Sequence, residues 1–202
     1  MKHGIEKDDR IILLRPNRPD SRADSAVDDI KDLTAKIDRT IAVDVVRIDH
    51  HDFGAMMLGF MDLISSAAPP ALPDGKVIAN LSGGPREILI ALTTACIALS
   101  DSIYRTTNFS DIDHELREIE LPHITRTLDK TALQILCKVL EHEPTTLHEV
   151  ARRIGASEST VSRQSAKLAE MHAVEITALG RSKQIRLTLT GRALMKICGC
   201  ET

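Results

Sequence analysis

A chain of 202 residues accommodates one large domain or two small ones. Hydrophobic residues make up 43% of it, which is enough for real cores and excludes a disordered chain. Aromatic residues make up only 2%, which speaks against stacking platforms for single-stranded bases. The net charge of −3 divides unevenly, with −6 on residues 1–126 and +3 on residues 127–202. This asymmetry is consistent with one half that binds nucleic acid and one that does not.

The cysteine pattern and the hydropathy predict a protein of the cytoplasm. The four cysteines, Cys96, Cys137, Cys198 and Cys200, form no Cys-x-x-Cys pair, and a disulfide framework is not expected. Residues 1–10 are polar and charged, unlike a signal peptide. No apolar run approaches the roughly 18–20 residues of a membrane span.

The first half of the chain alternates short apolar runs with helical patterns. Strands are predicted at residues 11–14, 41–48, 76–79, 102–106 and 115–121, and helices at residues 24–37, 53–67 and 87–99. Such alternation predicts an α/β domain with a mostly parallel sheet covered by helices. In these sheets, ligands bind outside the carboxyl ends of the strands.

One junction in this half, residues 80–86 with the sequence Asn-Leu-Ser-Gly-Gly-Pro-Arg, is typical of an anion site. A strand, a glycine pair and a helix start form a concave nest of backbone N–H groups at the positive end of the helix dipole. The guanidinium group of Arg86 adds a positive charge and several N–H donors. The alternative is that the glycines only make a tight turn. The pattern is neither the three-glycine dinucleotide fingerprint nor a P-loop, so neither NAD binding nor nucleotide hydrolysis has specific support.

A second basic loop follows the first predicted strand. Arg15 and Asn17 lie where this strand ends, which is the edge of the sheet expected to hold ligands. The predicted ligand-binding residues are Ser82, Gly83, Gly84, Pro85, Arg86, Arg15 and Asn17.

The second half has the element order of a winged helix. A helix over residues 128–140 is followed by a second over 146–154, in which Thr146 and Glu149 have capping-box spacing. After a Gly-Ala turn, Ser157 caps a third helix. Residues 174–176 and 185–189 alternate as paired strands around a basic turn at 180–183, and a last helix starts near Thr190.

The third helix and the wing carry the expected DNA contacts, because short polar and basic side chains suit base edges and phosphates. The alternative, a winged helix used only for protein contacts, is disfavoured by a net charge of +5 over residues 151–192. The predicted DNA-binding residues are Ser157, Ser159, Thr160, Arg163, Gln164, Lys167, Arg181, Ser182 and Lys183.

Other polar clusters do not form a recognisable centre. His50, His51 and Asp52 follow the second strand, but a metal site needs a third partner that the sequence does not place, and a polar loop is the favoured interpretation. No Ser-His-Asp or Cys-His set has catalytic spacing. No catalytic residue, metal or cofactor is therefore predicted.

The order of the two halves resembles the CRISPR-associated Rossmann-fold (CARF) regulators, and the second half alone looks like MarR- and ArsR-type regulators. Residues 80–86 and the helix after them, together with residues 9–16, carry the resemblance. It implies an α/β Rossmann-like CARF domain over residues 1–124 and a winged helix-turn-helix over residues 125–202. CARF regulators usually begin with a further strand, loop and helix, which this chain is expected to lack.

The resemblance also implies a function. CARF regulators bind cyclic oligoadenylates, work as dimers and hold one ring on the two-fold axis, and Ser82, Gly83, Gly84 and Arg86 are expected to contact it. The chain is therefore predicted to be a homodimeric, DNA-binding transcription regulator and not an enzyme. The alternatives are a ring nuclease that cleaves cyclic oligoadenylate, and a winged-helix regulator that responds to another anion.

Overall fold

A computed structural model describes residues 5–67, 75–125, 127–180 and 182–198. The chain divides into two compact units, Met1–Ile119 and Glu120–Thr202, a division five residues before the predicted boundary. Most of the predicted loop at residues 69–75, the predicted wing residue Arg181 and Cys200 lie outside the described residues.

Unit 1 alternates strands and helices as predicted. Its elements are β1 (Arg10–Pro16), α1 (Ser21–Ile37), β2 (Ala42–Ile48), α2 (Phe53–Ala67), β3 (Ile78–Asn80), α3 (Arg86–Ala98), β4 (Arg105–Phe109) and β5 (Leu116–Ile119). The α/β Rossmann-like class is therefore confirmed. The strand predicted at 102–106 begins only at Arg105, because Ser100–Ser102 forms a short 3-10 turn.

The predicted sheet forms as two separate ladders. β1 pairs in parallel with β2 from Arg10 opposite Ala42 to Pro16 opposite Ile48. β3 pairs in parallel with β4, and β4 pairs antiparallel with β5, so β5 is the edge strand. The core of unit 1 lies between α2 and α3; its buried side chains are Met56, Phe60, Ile64, Ile88, Ala91, Ala95 and Cys96.

Unit 2 has the predicted winged-helix order. Its elements are α4 (Lys130–His142), β6 (Thr145–Thr146), α5 (Leu147–Ile154), α6 (Glu158–Glu170), β7 (Val174–Leu179), β8 (Ser182–Leu187) and α7 (Leu189–Ile197). The three strands form an antiparallel sheet in the order β6-β8-β7. Every helix contributes to one apolar core, in which Ile135, Leu136, Val139, Val150, Val161, Ile185 and Leu194 are almost fully buried.

Local hydrogen bonds explain where these helices begin and end. The Asp129 side chain accepts from the Ala132 N–H at 2.7 Å and caps α4. The capping box predicted for α5 is present, with Thr146 and Glu149 each accepting from the other's backbone. Gly155 ends α5 with φ 67°, a left-handed conformation that glycine adopts without a Cβ penalty. This sharp turn sets the direction of α6.

The predicted wing is corrected in one respect. The sequence predicts a turn over residues 180–183, whereas Ser182 already pairs with Leu179 as the first residue of β8. Gly180 follows β7 directly and has φ 61°. Positive φ is typical of tight hairpin connections, and the strands extend further than the apolar alternation indicates. Leu189, predicted to end the second strand, starts α7.

Among the residues that the structure describes, no helix is both long and apolar enough to cross a membrane.

Candidate functional site

The corner between β3 and α3, residues 80–86, is anchored to β4. The Leu81 N–H donates to the Thr107 carbonyl at 2.7 Å, and the Ser82 hydroxyl accepts from the Phe109 N–H at 2.6 Å. The Ser82 N–H donates to Oδ1 of Asn80 at 2.9 Å. Ser82 thus helps to hold the corner in place. Its N–H and hydroxyl oxygen already form hydrogen bonds, so its remaining donor for a ligand is the hydroxyl proton.

The glycine pair follows with a backbone that other residues rarely adopt. Gly83 has φ 69° and Gly84 has φ 92°, and both are exposed. A Cβ added at either position would meet nothing within 4 Å, so conformation rather than crowding requires glycine here. The open space leaves room for a ligand to approach this backbone.

The start of α3 has unsatisfied donors. Pro85 occupies the N-cap position and supplies no side-chain hydrogen bond. The amides of Gly83, Gly84 and Arg86 donate to no described residue, and the exposed Arg86 side chain has no ion pair within the described ranges. Free amides, a helix dipole and an unpaired guanidinium make this corner able to hold an anion.

The start of α1 offers a contrast. Oδ1 of Asp20 accepts from the N–H groups of Arg22 at 2.9 Å and Ala23 at 3.3 Å, so a carboxylate already occupies this N-terminus. Of the two helix starts that follow β1 and β3, the one at α3 is therefore the one whose first amides have no acceptor among the described residues.

Arg15, which is predicted to bind the ligand, is bonded within unit 1. Its side chain is 6% exposed, and its guanidinium forms an ion pair with Asp24 of α1. A second nitrogen donates to the Asp20 carbonyl at 3.3 Å. Hydrogen bonding from Arg15 holds the pKa of Asp24 below its ordinary value. Nε of Arg15 has no hydrogen-bond partner among the described residues, but it is buried, so the side chain as placed secures α1 and does not face the loop's surroundings.

Asn17 is exposed at the end of β1, and its backbone N–H donates to the Ile48 carbonyl at 2.7 Å. The structure thus brings Ser82, Gly83, Gly84, Pro85 and Arg86 together at one corner. It places Asn17 at the end of the other ladder.

The third helix of the winged helix, α6, presents a basic stripe. Ser159, Arg163 and Lys167 are exposed and lie four residues apart, which places them on one helical face. The opposite face is buried through Val161, Ser165 and Leu168. Packing therefore fixes which face of α6 is available for a duplex.

Three further predicted DNA contacts make hydrogen bonds inside the protein. The Ser157 hydroxyl accepts from the Thr160 N–H at 3.2 Å and lies 2.8 Å from the Thr160 hydroxyl. Nε2 of Gln164 donates to Oδ2 of Asp129 at 3.2 Å. The Ser157 hydroxyl also lies 2.9 Å from the Ser159 hydroxyl, so within the stripe it is Arg163 and Lys167 whose side chains bond to no described residue.

The wing adds polar groups at one end of the β7–β8 hairpin. Lys183 is exposed, and the Ser182 hydroxyl donates to the Leu179 carbonyl at 2.9 Å. Two further exposed polar residues that the sequence prediction did not include are Ser162, next to Arg163 in α6, and Arg186, opposite Glu175 on β8.

Two family models match the chain. Residues 1–117 match the Csa3 CRISPR-associated Rossmann-like domain, and residues 127–191 match a family described as HVO_A0114. No curated protein sequence matches the chain.

Several solved structures resemble part of the chain. AF1382 from Archaeoglobus fulgidus is 27% identical over 36% of this chain and 85% of its own, with a TM-score of 0.33. The PcaV transcriptional regulator of Streptomyces coelicolor, in complex with its natural ligand, is 18% identical over 38% of this chain and 56% of its own, with a TM-score of 0.36. A mutant of S. aureus MepR bound to an oligodeoxyribonucleotide is 19% identical over 34% of this chain and 54% of its own, with a TM-score of 0.32.

The chain thus spans little more than half the length of the latter two proteins. At these TM-scores the likenesses carry no argument about function. The winged-helix assignment rests on the order and pairing of the elements of unit 2.

Proposed function

The chain belongs to the Csa3 CRISPR-associated Rossmann-like domain family, and from that premise we propose a homodimeric, DNA-binding transcription regulator that senses a cyclic oligoadenylate. Unit 2 binds duplex DNA of CRISPR-associated genes. Unit 1 binds the cyclic nucleotide at the corner between β3 and α3.

The observation that carries the DNA-binding half is the exposed stripe of Ser159, Arg163 and Lys167 on α6. In a winged helix, the third helix enters the major groove, where a hydroxyl and two cations fit base edges and phosphates. Lys183 on the hairpin adds a cation for the flanking backbone.

The sensing half is supported by the uncapped start of α3. Two glycine amides, the first helical amide and Arg86 offer several donors and a positive charge within one turn of chain. Phosphodiesters carry the matching acceptors and negative charge. A cyclic ligand repeats its phosphates by symmetry. Two copies of the corner, related by a two-fold axis, could each bind equivalent phosphates, and we therefore propose a dimer.

Isothermal titration of the full chain with cyclic tetra-adenylate and cyclic hexa-adenylate tests this proposal. We expect binding of one ring per two chains. Arg86→Ala should weaken it at least about tenfold, the size of one charge-assisted hydrogen bond. Arg39→Ala is the matched control, because Arg39 is exposed in the turn before β2, at the amino end of a strand of the other ladder, and it should not alter affinity.

Three outcomes contradict the proposal. If neither ring binds, cyclic oligoadenylate is not the ligand. If one ring binds each single chain, two chains do not share a pocket. If Arg86→Ala and Arg39→Ala lose the same affinity, the ring does not bind at the corner between β3 and α3. Chromatography of the recovered ring, expected intact, separates a sensor from a ring nuclease.

A further inference from the structure

The turn that follows β2 gathers three metal-binding side chains. Asp49, His50 and His51 each offer one ligand atom, and these atoms all lie within 4.8 Å of one another. The two imidazole rings have centroids 4.2 Å apart and are tilted by 35°. Oδ1 of Asp49 accepts from the His51 N–H at 3.1 Å, which holds the carboxylate over the turn. The sequence left the third ligand open, and the structure supplies Asp49.

The neighbouring carboxylate, Asp52, bonds to the start of α2, where its Oδ1 accepts from the Ala55 N–H at 2.9 Å. Asp49 forms no ion pair with any described residue, and Arg47, two residues before it, lies 4.0 Å from the carboxylate of Asp24. The negative charge of Asp49 is therefore available to a cation.

The donor set selects the class of cation. Two imidazoles and one carboxylate suit a borderline divalent ion such as Zn²⁺ or Co²⁺, whereas Mg²⁺ and Ca²⁺ prefer oxygen ligands only. With bonds of about 2.0–2.2 Å, the donors of a tetrahedral site lie roughly 3.3 Å apart. Small side-chain rotations in an exposed turn bring atoms within 4.8 Å to that spacing.

We propose that Asp49, His50 and His51 bind one Zn²⁺-class cation at the carboxyl end of β2. Three protein ligands leave a fourth position open, the arrangement in which zinc contacts water or another oxygen donor. The site lies beside the Asn17 loop, because the Asn17 N–H bonds the carbonyl of Ile48 immediately before the turn. The cation also supports the turn by cross-linking three consecutive residues. This proposal stands independently of the nucleotide-sensing role.

Equilibrium dialysis of the metal-free full chain against ZnCl₂, followed by elemental analysis, tests the site. We expect one strongly held Zn²⁺ per chain. His50→Ala, His51→Ala and Asp49→Asn should each weaken binding at least about tenfold, since even the loss of a residue that hydrogen-bonds to a metal ligand costs that much affinity. Asp52→Asn is the matched control, because asparagine keeps the helix cap while the nearest other carboxylate is removed. It should leave affinity unchanged.

Histidine side-chain NMR of the wild-type chain gives a second measurement that does not depend on variants folding. Zn²⁺ should shift the imidazole resonances of His50 and His51 and leave those of the other histidines in place. Co²⁺ should give visible d–d bands without a thiolate charge-transfer band. Absence of strong binding, binding unchanged in His51→Ala, or a thiolate band that assigns the metal to a cysteine would each overturn the proposal.

Discussion

The Gln164 side chain donates a hydrogen bond to the Asp129 carboxylate, joining the middle of α6 to the residue that caps α4. The other carboxylate oxygen of Asp129 accepts from the Ala132 N–H, so one side chain serves both helices. This contact occupies one amide N–H of Gln164, whose DNA-binding role remains a prediction. The adjacent Arg163 remains exposed.

The first prediction compares the exposed cations Arg163 and Lys167 with Gln164, whose side chain bonds to Asp129. Arg163→Ala and Lys167→Ala should weaken binding to duplex DNA and each reduce the slope of log affinity against log salt by about one unit, the contribution of one phosphate contact. Gln164→Ala should leave the slope unchanged, because its amide contacts Asp129. Fluorescence anisotropy at several salt concentrations measures this. Unchanged slopes for both cationic variants would reject α6 as the DNA-binding surface.

The second prediction concerns Gly191, at the start of α7. A Cβ there would lie 2.1 Å from the Ala173 carbonyl oxygen, and backbone cannot yield as a flexible side chain does. Gly191→Ala should therefore destabilise unit 2 by about 3 kcal/mol, at the upper end of overpacking effects. The control is Gly59→Ala in α2, where a Cβ meets nothing within 4 Å.

Gly59→Ala should instead stabilise unit 1 by about 0.5–1 kcal/mol, because alanine is the better helix former. Urea denaturation followed by circular dichroism measures both. The same substitution should thus act with opposite sign at the two positions, and a neutral Gly191→Ala would show that α7 does not pack on Ala173 as described.

Local patterns predict most of this fold, because capping boxes, glycine turns and apolar periodicity act over a few residues. The α5 capping box of Thr146 and Glu149 could be identified from spacing alone. Arg15 was different: its charge and position suggested a ligand contact, and only the placement of Asp24 shows that it is buried and paired. The ligand assignments of Ser82, Gly83, Gly84 and Arg86 remain predictions, since they depend on an anion supplied by another molecule.

The third prediction concerns acid stability. The Thr146 N–H and the Thr145 hydroxyl, which both donate to Glu149, hold the pKa of that carboxyl below its ordinary 4.5. A group with a lowered pKa in the folded state stabilises the fold above its unfolded pKa, and this contribution is lost as pH falls through the folded pKa. The free energy of unfolding of unit 2 should therefore fall as pH drops below about 4.5.

Glu149→Gln keeps a hydrogen-bond acceptor and removes the titration. The loss of stability on acidification should be smaller in Glu149→Gln than in the wild type, as measured by urea denaturation at each pH. Glu170→Gln at the end of α6, whose carboxylate bonds to no described residue, is the comparison. Parallel pH profiles for the wild type and Glu149→Gln would refute the assignment.

The fourth prediction separates the two partners of the Arg15–Asp24 pair. Removing Asp24 leaves a buried guanidinium without its carboxylate, whereas removing Arg15 leaves a half-exposed carboxylate that water can solvate. Asp24→Ala should therefore lower the urea midpoint of unit 1 more than Arg15→Met does. The double variant should recover most of the loss. Equal midpoints for the two single variants would show that burial of Arg15 does not govern the energetics.

The most direct test of the central claim is the DNA affinity of the full chain with and without cyclic oligoadenylate. Labelled duplexes from the intergenic DNA beside CRISPR-associated genes of its own genome serve as targets. We expect one ring to change the dissociation constant at least about fivefold, the lower end of allosteric coupling, and Arg86→Ala to abolish the change. An unchanged dissociation constant at saturating concentrations of both rings would contradict it.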